Sequence, residues 1–213
     1  MHKHIFFDLD GTLTKSRTRM SEEDVPVFDA LCAARDVIVV SGAEEKQMRT
    51  QLPVKIDHAY YLLTQNGNHA IDKEGSVLWS ERFTDEQKAL IHTFIKDIHD
   101  EIALSVKNED DLVEDRGSQI SYSLIGHHED LATKQQFDPQ GEKRKALLAA
   151  RGIEVQHLFE RGIEITVGGT TCFDIFQAGK NKGYNVVRFI EKMGWQREDC
   201  IYFGDALEPG RND

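Results

Sequence analysis

The sequence predicts an α/β protein, an open and mostly parallel sheet with a second α/β unit inserted into it. Three observations carry this reading. Short apolar runs of strand length end in polar residues at 4–10, 37–42 and 200–205. Helix-patterned segments alternate with the first strands, the rhythm of a parallel sheet with crossovers. Between the second and third of those runs, residues 82–177 carry a complete pattern of strands and helices of their own. The expected division is a core of 1–81 and 178–213 with an insertion of 82–177.

The opening strand delivers Asp8 and Asp10, and Gly11 lets the chain turn away. Positions i and i+2 of a strand share a face, so the two carboxylates are expected to point the same way. Two like charges that close call for a cation, or for a proton on one of them. After a polar loop at 14–20, Ser21-Glu22-Glu23-Asp24 reads as a capped helix start with acids in its first turn, running to about residue 35. Val37-Ile38-Val39-Val40 has the continuous apolar pattern of a strand buried on both faces. It ends in Ser41-Gly42, and a helix is expected over 44–52. Residues 60–64 read as a strand, Gln65-Asn66-Gly67 as a tight turn and 68–72 as its partner. Lys73-Glu74-Gly75 then turns into 77–79.

The inserted unit opens with a helix that Thr84 caps, running to about residue 102. Leu90, Ile91, Phe94, Ile95 and Ile98 form its apolar stripe. Strands are expected at 112–114, 119–125, 163–167 and 172–177. Asp138-Pro139 is read as the start of a helix through about residue 151, with proline at its first position. No tandem repeat or low-complexity linker separates this unit, so it is an insertion. The chain then returns to the first pattern, with a helix carrying Val186, Val187, Phe189 and Ile190, and a strand at 200–203 ending in Gly204-Asp205. An open sheet usually continues beyond such a strand, which leaves open a longer natural chain.

Charged residues make up 30% and hydrophobic ones 39%, an ordinary soluble composition. A net charge of −11 argues against a nucleic-acid partner, which needs a basic face. It does not exclude an anionic substrate, because a bound cation reverses the local sign. Cys32, Cys172 and Cys200 lack metal-ligand spacing and read as buried thiols in a reducing compartment. His127-His128 reads as a solvated loop. No signal segment or membrane-length apolar run is seen, so no membrane partner and a cytoplasmic location are expected.

Three apolar strands thus end in Asp8 and Asp10, Ser41, and Asp205. Ligands of open parallel sheets bind outside the carboxyl ends of the strands. Carboxylates, a hydroxyl and a nearby lysine at that edge suit phosphoryl transfer assisted by Mg²⁺. Alone, Ser41-Gly42 reads as a plain turn and Lys182 as a solvated residue at a helix start; their order along the chain gives them weight. Asp8-Leu9-Asp10-Gly11-Thr12, Ser41, Lys182-Gly183, and Gly204-Asp205 with Asn212-Asp213 resemble the four ordered motifs of the haloacid dehalogenase superfamily. Gln65-Asn66-Gly67, Gly168-Gly169, Phe173-Asp174-Ile175-Phe176 and the Pro209-Gly210 loop resemble its phosphomannomutase branch.

The resemblance implies a Rossmann-like core with an α/β cap. It implies Asp8 as nucleophile, Asp10 as acid and base, Ser41 as a hydrogen-bond donor to the phosphoryl group and Lys182 as its counter-charge. Mg²⁺ would rest on Asp8, the Asp10 carbonyl and Asp205, with Asn212 and Asp213 nearby. Thr12, Gly42, Asn66, Arg116 and Asp174 are the implied substrate contacts, and a homodimer through the cap is left open. A mutase must grip a second phosphate, which calls for arginines. Arg116 keeps the first cap arginine of that branch, but Ile125-Gly126-His127 replaces the second with histidine. The expected activity is therefore hydrolysis of a small phosphorylated sugar or related metabolite. The alternatives are a sugar phosphomutase, with Lys143 or Arg144 substituting for the lost arginine, and a non-catalytic phospho-ligand binder.

Overall fold

A computed structural model describes residues 2–52, 60–102, 104–205 and 207. Asn212, Asp213 and the Pro209-Gly210 loop lie outside the described residues. The chain divides into two compact units, Met1–Ser80 with Lys180–Asp213, and Glu81–Gly179.

The first unit holds a six-stranded sheet. Its strands are β1 (His4–Asp8), β2 (Asp36–Val40), β3 (Tyr61–Thr64), β4 (His69–Ile71), β5 (Val77–Ser80) and β10 (Cys200–Phe203), in the order β10-β1-β2-β3-β4-β5. The four strands from β10 to β3 are parallel, and β4 and β5 add an antiparallel edge. Val37, Ile38, Val39 and Val40 are all fully buried, because β2 is covered on both faces. Val37, Val39 and Leu62 pack with Val25 and Phe28 of α1 (Val25–Ala34) and Met48 of α2 (Glu45–Gln51). On the opposite face Phe6, Ile38, Val40 and Leu63 meet Phe189 and Ile190 of α7 (Lys182–Met193). Helix α1 begins later than residues 21–24 suggest. Those residues form a turn in which Ser21 Oγ donates to Asp24 at 2.5 Å, and Pro26 stands at the true helix start.

The second unit holds a four-stranded antiparallel sheet, β6 (Val113–Asp115), β7 (Gln119–Ser123), β9 (Cys172–Gln177) and β8 (Ile163–Gly168), in the order β6-β7-β9-β8. Ile120, Tyr122, Ile163, Ile165, Phe173 and Ile175 pack under Ile91, Phe94, Ile95 and Ile98 of α3 (Asp85–Ile102) and Leu158 of α6 (Gly152–Glu160). Helix α3 starts with a reciprocal cap: Gln87 N donates to Thr84 Oγ1 at 3.2 Å, and Thr84 N donates to Gln87 Oε1 at 3.1 Å. The other sheet face is polar. Register aligns Glu114, Ser121, Asp174 and Thr166 across all four strands.

Asp138-Pro139 does not open a helix. It follows α4 (Leu131–Phe137) in a turn, and α5 (Glu142–Ala150) begins after Gly141. Asp138 instead caps α5 from outside, accepting from the Lys143 and Arg144 amides at 3.2 and 3.1 Å. His127 is no solvated loop residue either, since it is only 2% exposed. Among the described residues no helix is long and apolar enough to cross a membrane.

Candidate active site

Strand alternation places Phe6 and Asp8 on the same face of β1, and Phe6 packs against α7. Helix α7 begins at Lys182, with Asn181 capping it by accepting from the Tyr184 amide at 2.9 Å. Its first residue therefore arrives over the end of β1. Lys182 Nζ donates to Asp8 Oδ1 at 2.8 Å, and the residues are 3% and 6% exposed. A buried pair of this kind is costly in desolvation and survives on good geometry.

Asp10 is positioned differently from expectation. β1 stops at Asp8, so strand alternation does not govern Asp10. It lies in a turn where Gly11 N donates to Thr14 O at 2.7 Å, and the Leu13 and Thr14 amides both donate to Leu9 O at 3.0 Å. Asp10 Oδ1 accepts from the Arg17 amide at 2.8 Å and from Gln51 Nε2 at 2.9 Å. Gln51 also reaches Thr14 Oγ1 at 3.0 Å, so one amide locks both side chains. The Thr12 hydroxyl is buried without a hydrogen-bond partner among the described residues.

Gly11 has φ +93°, and a Cβ there would lie 2.9 Å from Asp205 Cγ. The Asp205 carboxylate therefore lies directly against the turn that follows Asp8. Ser41 is buried after β2, one residue beyond the Asp8–Val40 register pair. Its Oγ accepts from the Ala43 amide at 3.1 Å, which leaves the hydroxyl proton to donate elsewhere. Gly42 occupies the bend between them.

Asn66 is strapped to this bend: its amide donates to Ser41 O at 2.8 Å, and Gln65 N donates to Ala43 O at 3.0 Å. Gln65 and Asn66 have φ of +54° and +58°, a left-handed conformation that side chains other than glycine adopt reluctantly. Asn185, fully buried on α7, holds the strained loop by donating to Asn66 O and to Lys180 O, both at 3.0 Å. Sequence reasoning missed Asn185 and Gln51.

In the second unit, Arg116 donates to Glu114 Oε2 through Nη2 at 2.5 Å and Nε at 3.2 Å. Asp174 accepts from Ser121 Oγ at 3.0 Å. Arg144 is fully buried and bonds Asp138 and the carbonyls of Gly168, Cys172 and Gly169 at 2.6–3.0 Å. Lys143 Nζ donates to Phe137 O at 2.9 Å. These bonds correct the idea that Arg144 substitutes for a lost phosphate-binding arginine, while the Lys143 ammonium stays exposed.

Asp8, Asp10 and Asp205 offer only oxygen donors, the chemistry that suits a hard cation such as Mg²⁺. Among the described residues no group of three His, Cys, Asp or Glu side chains gathers as a metal cluster. A set of two carboxylates and one backbone carbonyl is compatible with that.

Carboxylates, a hydroxyl and a lysine thus gather at the carboxyl edge of a parallel sheet in an α/β unit. The chain belongs to the haloacid dehalogenase-like hydrolase family, whose profile matches residues 5–208. Relatives named phosphomannomutase are 27% identical in Schizosaccharomyces pombe and 28% identical in Saccharomyces cerevisiae, each over 98% of this chain and 82% of theirs. A haloacid dehalogenase-like hydrolase from Bacteroides thetaiotaomicron superposes with a TM-score of 0.64 at 14% identity, over 97% of this chain and 83% of that one. A Streptococcus mutans protein gives 0.67 at 17%, over 100% and 83%. The first unit thus has the Rossmann-like core of this family.

Proposed function

We propose that the chain is a Mg²⁺-dependent phosphatase of small phosphorylated sugars or related metabolites. The observation that carries this reading is the buried Asp8–Lys182 pair, 2.8 Å apart at the carboxyl edge of the sheet. Asp8 attacks phosphorus, the bond from phosphorus to the sugar oxygen breaks, and Asp10 protonates that oxygen. Asp10 then takes a proton from water as the water oxygen attacks phosphorus and releases Asp8. Lys182 offsets charge on the transferring group, and the Ser41 and Thr12 hydroxyls donate to its oxygens. Asp8, the Asp10 carbonyl and Asp205 would hold Mg²⁺, with Asn212 and Asp213 proposed beside them. Bound there, the ion supplies positive charge against the phosphate oxygens.

Hydrolysis is favoured over mutase chemistry by the state of the cap cations. Arg144 is spent on Asp138 and on backbone carbonyls, Arg116 is paired with Glu114, and His127 is buried in the loop after β7. The names of the relatives favour the second reading, a sugar phosphomutase. A non-catalytic binder would have no use for Asp8 beside Asp10. A panel of sugar phosphates, scored for both released phosphate and isomerised sugar, separates the three. The expected result is phosphate release that EDTA abolishes. Interconversion of mannose 1- and 6-phosphate with little free phosphate would establish the mutase, and binding without turnover would establish the binder.

A further inference from the structure

Cys172 begins β9 on the polar face of the second unit's sheet, beside His127 in the loop after β7. His127 Nε2 lies 3.1 Å from the Ser121 carbonyl, which can only accept. In neutral His127 the proton must therefore sit on Nε2, and Nδ1 carries the lone pair. Nδ1 faces Cys172 Sγ at 4.0 Å. This is the relation of a nucleophile to a base oriented by a third group. Thr171 Oγ1 lies 3.5 Å from the sulfur, and Ser123 Oγ donates to Thr171 Oγ1 at 3.2 Å.

The charged groups around the pair are few. Glu114 Oε1 from β6 lies 3.7 Å from His127 Nδ1 and favours a proton there. Asp174, two residues along β9, opposes the thiolate. From α5, Arg144 donates to the Cys172 carbonyl at 2.8 Å. Burial pushes the Cys172 thiol up, but the hydrogen bond and charge of His127 outweigh it, and the net direction is down. Burial pushes His127 down, while Cys172 and Glu114 carry it above its ordinary value. The other two thiols go the other way: burial drives Cys32 up to about 12, and Cys200 is also raised. Cys172 keeps some residue surface while its thiol is largely enclosed beside His127, and Cys32 is buried.

We propose that Cys172 is an activated thiol with His127 as its base, and that it is the chain's site of oxidation by hydroperoxides. The proton of Cys172 Sγ passes to His127 Nδ1. The thiolate attacks one peroxide oxygen, forming an S–O bond as the O–O bond breaks. The departing oxygen takes the proton from Nδ1 and leaves as water or an alcohol. Sulfur loses two electrons, the peroxide gains them, and the product is a sulfenic acid. This step uses cap residues alone and does not depend on the phosphoryl-transfer reading.

The test is to treat the full chain with hydrogen peroxide in the presence of dimedone and to quantify the adduct at each cysteine by peptide mass spectrometry. Cys172 is expected to label at least about fivefold faster than Cys200 or Cys32, in line with its larger thiolate fraction. His127→Gln keeps an amide donor for the Ser121 carbonyl but removes the base, and it should erase that preference. A ¹³Cβ-cysteine NMR titration of the unaltered protein keeps the test decisive if the variant misfolds, with the Cys172 signal expected to move at lower pH than that of Cys200. Equal labelling of the three cysteines, no label on Cys172, or a preference that survives in a folded His127→Gln protein would overturn the proposal.

Discussion

Asp8 and Lys182 face each other at 2.8 Å with little exposure to solvent. Breaking a buried pair by removing one partner typically costs about 3–5 kcal/mol. Lys182→Met should therefore lower unfolding stability by roughly that amount, read as a shift in the denaturant midpoint, and should abolish turnover. Adding Asp8→Asn should restore part of the stability but none of the activity, because the two effects share one contact. A single variant with unchanged stability would show that water already solvates the pair.

Beside its apolar core, the second unit has one buried polar clasp. Arg144 ties α5 to the β8–β9 turn through the Gly168, Gly169 and Cys172 carbonyls, and its guanidinium meets Asp138 at 3.0 Å. Arg144→Met should destabilise this unit by about 3–5 kcal/mol, since it removes the counter-charge of a buried carboxylate, which keeps its two amide donors, and leaves several carbonyls without their guanidinium. Hydrogen exchange should report the loss in β8 and β9 and spare β1 and β2. Burial raises the Asp138 pKa, but hydrogen bonds from the Arg144 amide and side chain and from the Lys143 amide outweigh it, and the net direction is down. A carboxyl lowered on folding stabilises above its unfolded value, and that contribution disappears as pH falls through the folded one. The acid unfolding of this unit should thus be less steep in Asp138→Asn, measured by thermal melts below neutral pH. An identical pH slope would mean that other carboxylates dominate.

The same elements show what was legible in the sequence. The parallel strands and α3 stood out because apolar runs and a stripe at helical spacing force burial, and Thr84 with Gln87 marked the helix start. Helix α4 did not stand out, since none of its residues is buried and it has no apolar face to advertise. Helix α6 was obscured by Ile153, which is apolar yet 90% exposed, and by Gly152 at its start. Asp138-Pro139 has the composition of a helix start, but Asp138 caps the next helix across a turn, a tertiary contact that local propensity cannot encode. Asp8, Ser41 and Lys182 were legible as residues ending or beginning elements. Gln51 and Asn185 were not, because their importance lies in what they hold across the fold.

At the scale of the whole molecule, each unit owns a sheet and a separate apolar core. An insertion with its own core should fold alone, so residues 81–179 expressed by themselves are expected to unfold cooperatively, with helix α3 and the four strands intact by NMR. A chain lacking a cooperative transition would show that the unit depends on its host. The donors of the candidate active site from Asp8 to Asp205 belong to the other unit, so chemistry and substrate selection are expected to separate on dissection. The central claim is that Asp8 carries the phosphoryl group. It is tested most directly by acid-quenching the enzyme during turnover of p-nitrophenyl phosphate with Mg²⁺, reducing with borohydride and sequencing the peptide by mass spectrometry. The account predicts homoserine at position 8, the mark of a reduced aspartyl phosphate. Phosphate release with an unmodified Asp8, or a reduced residue elsewhere, would contradict it.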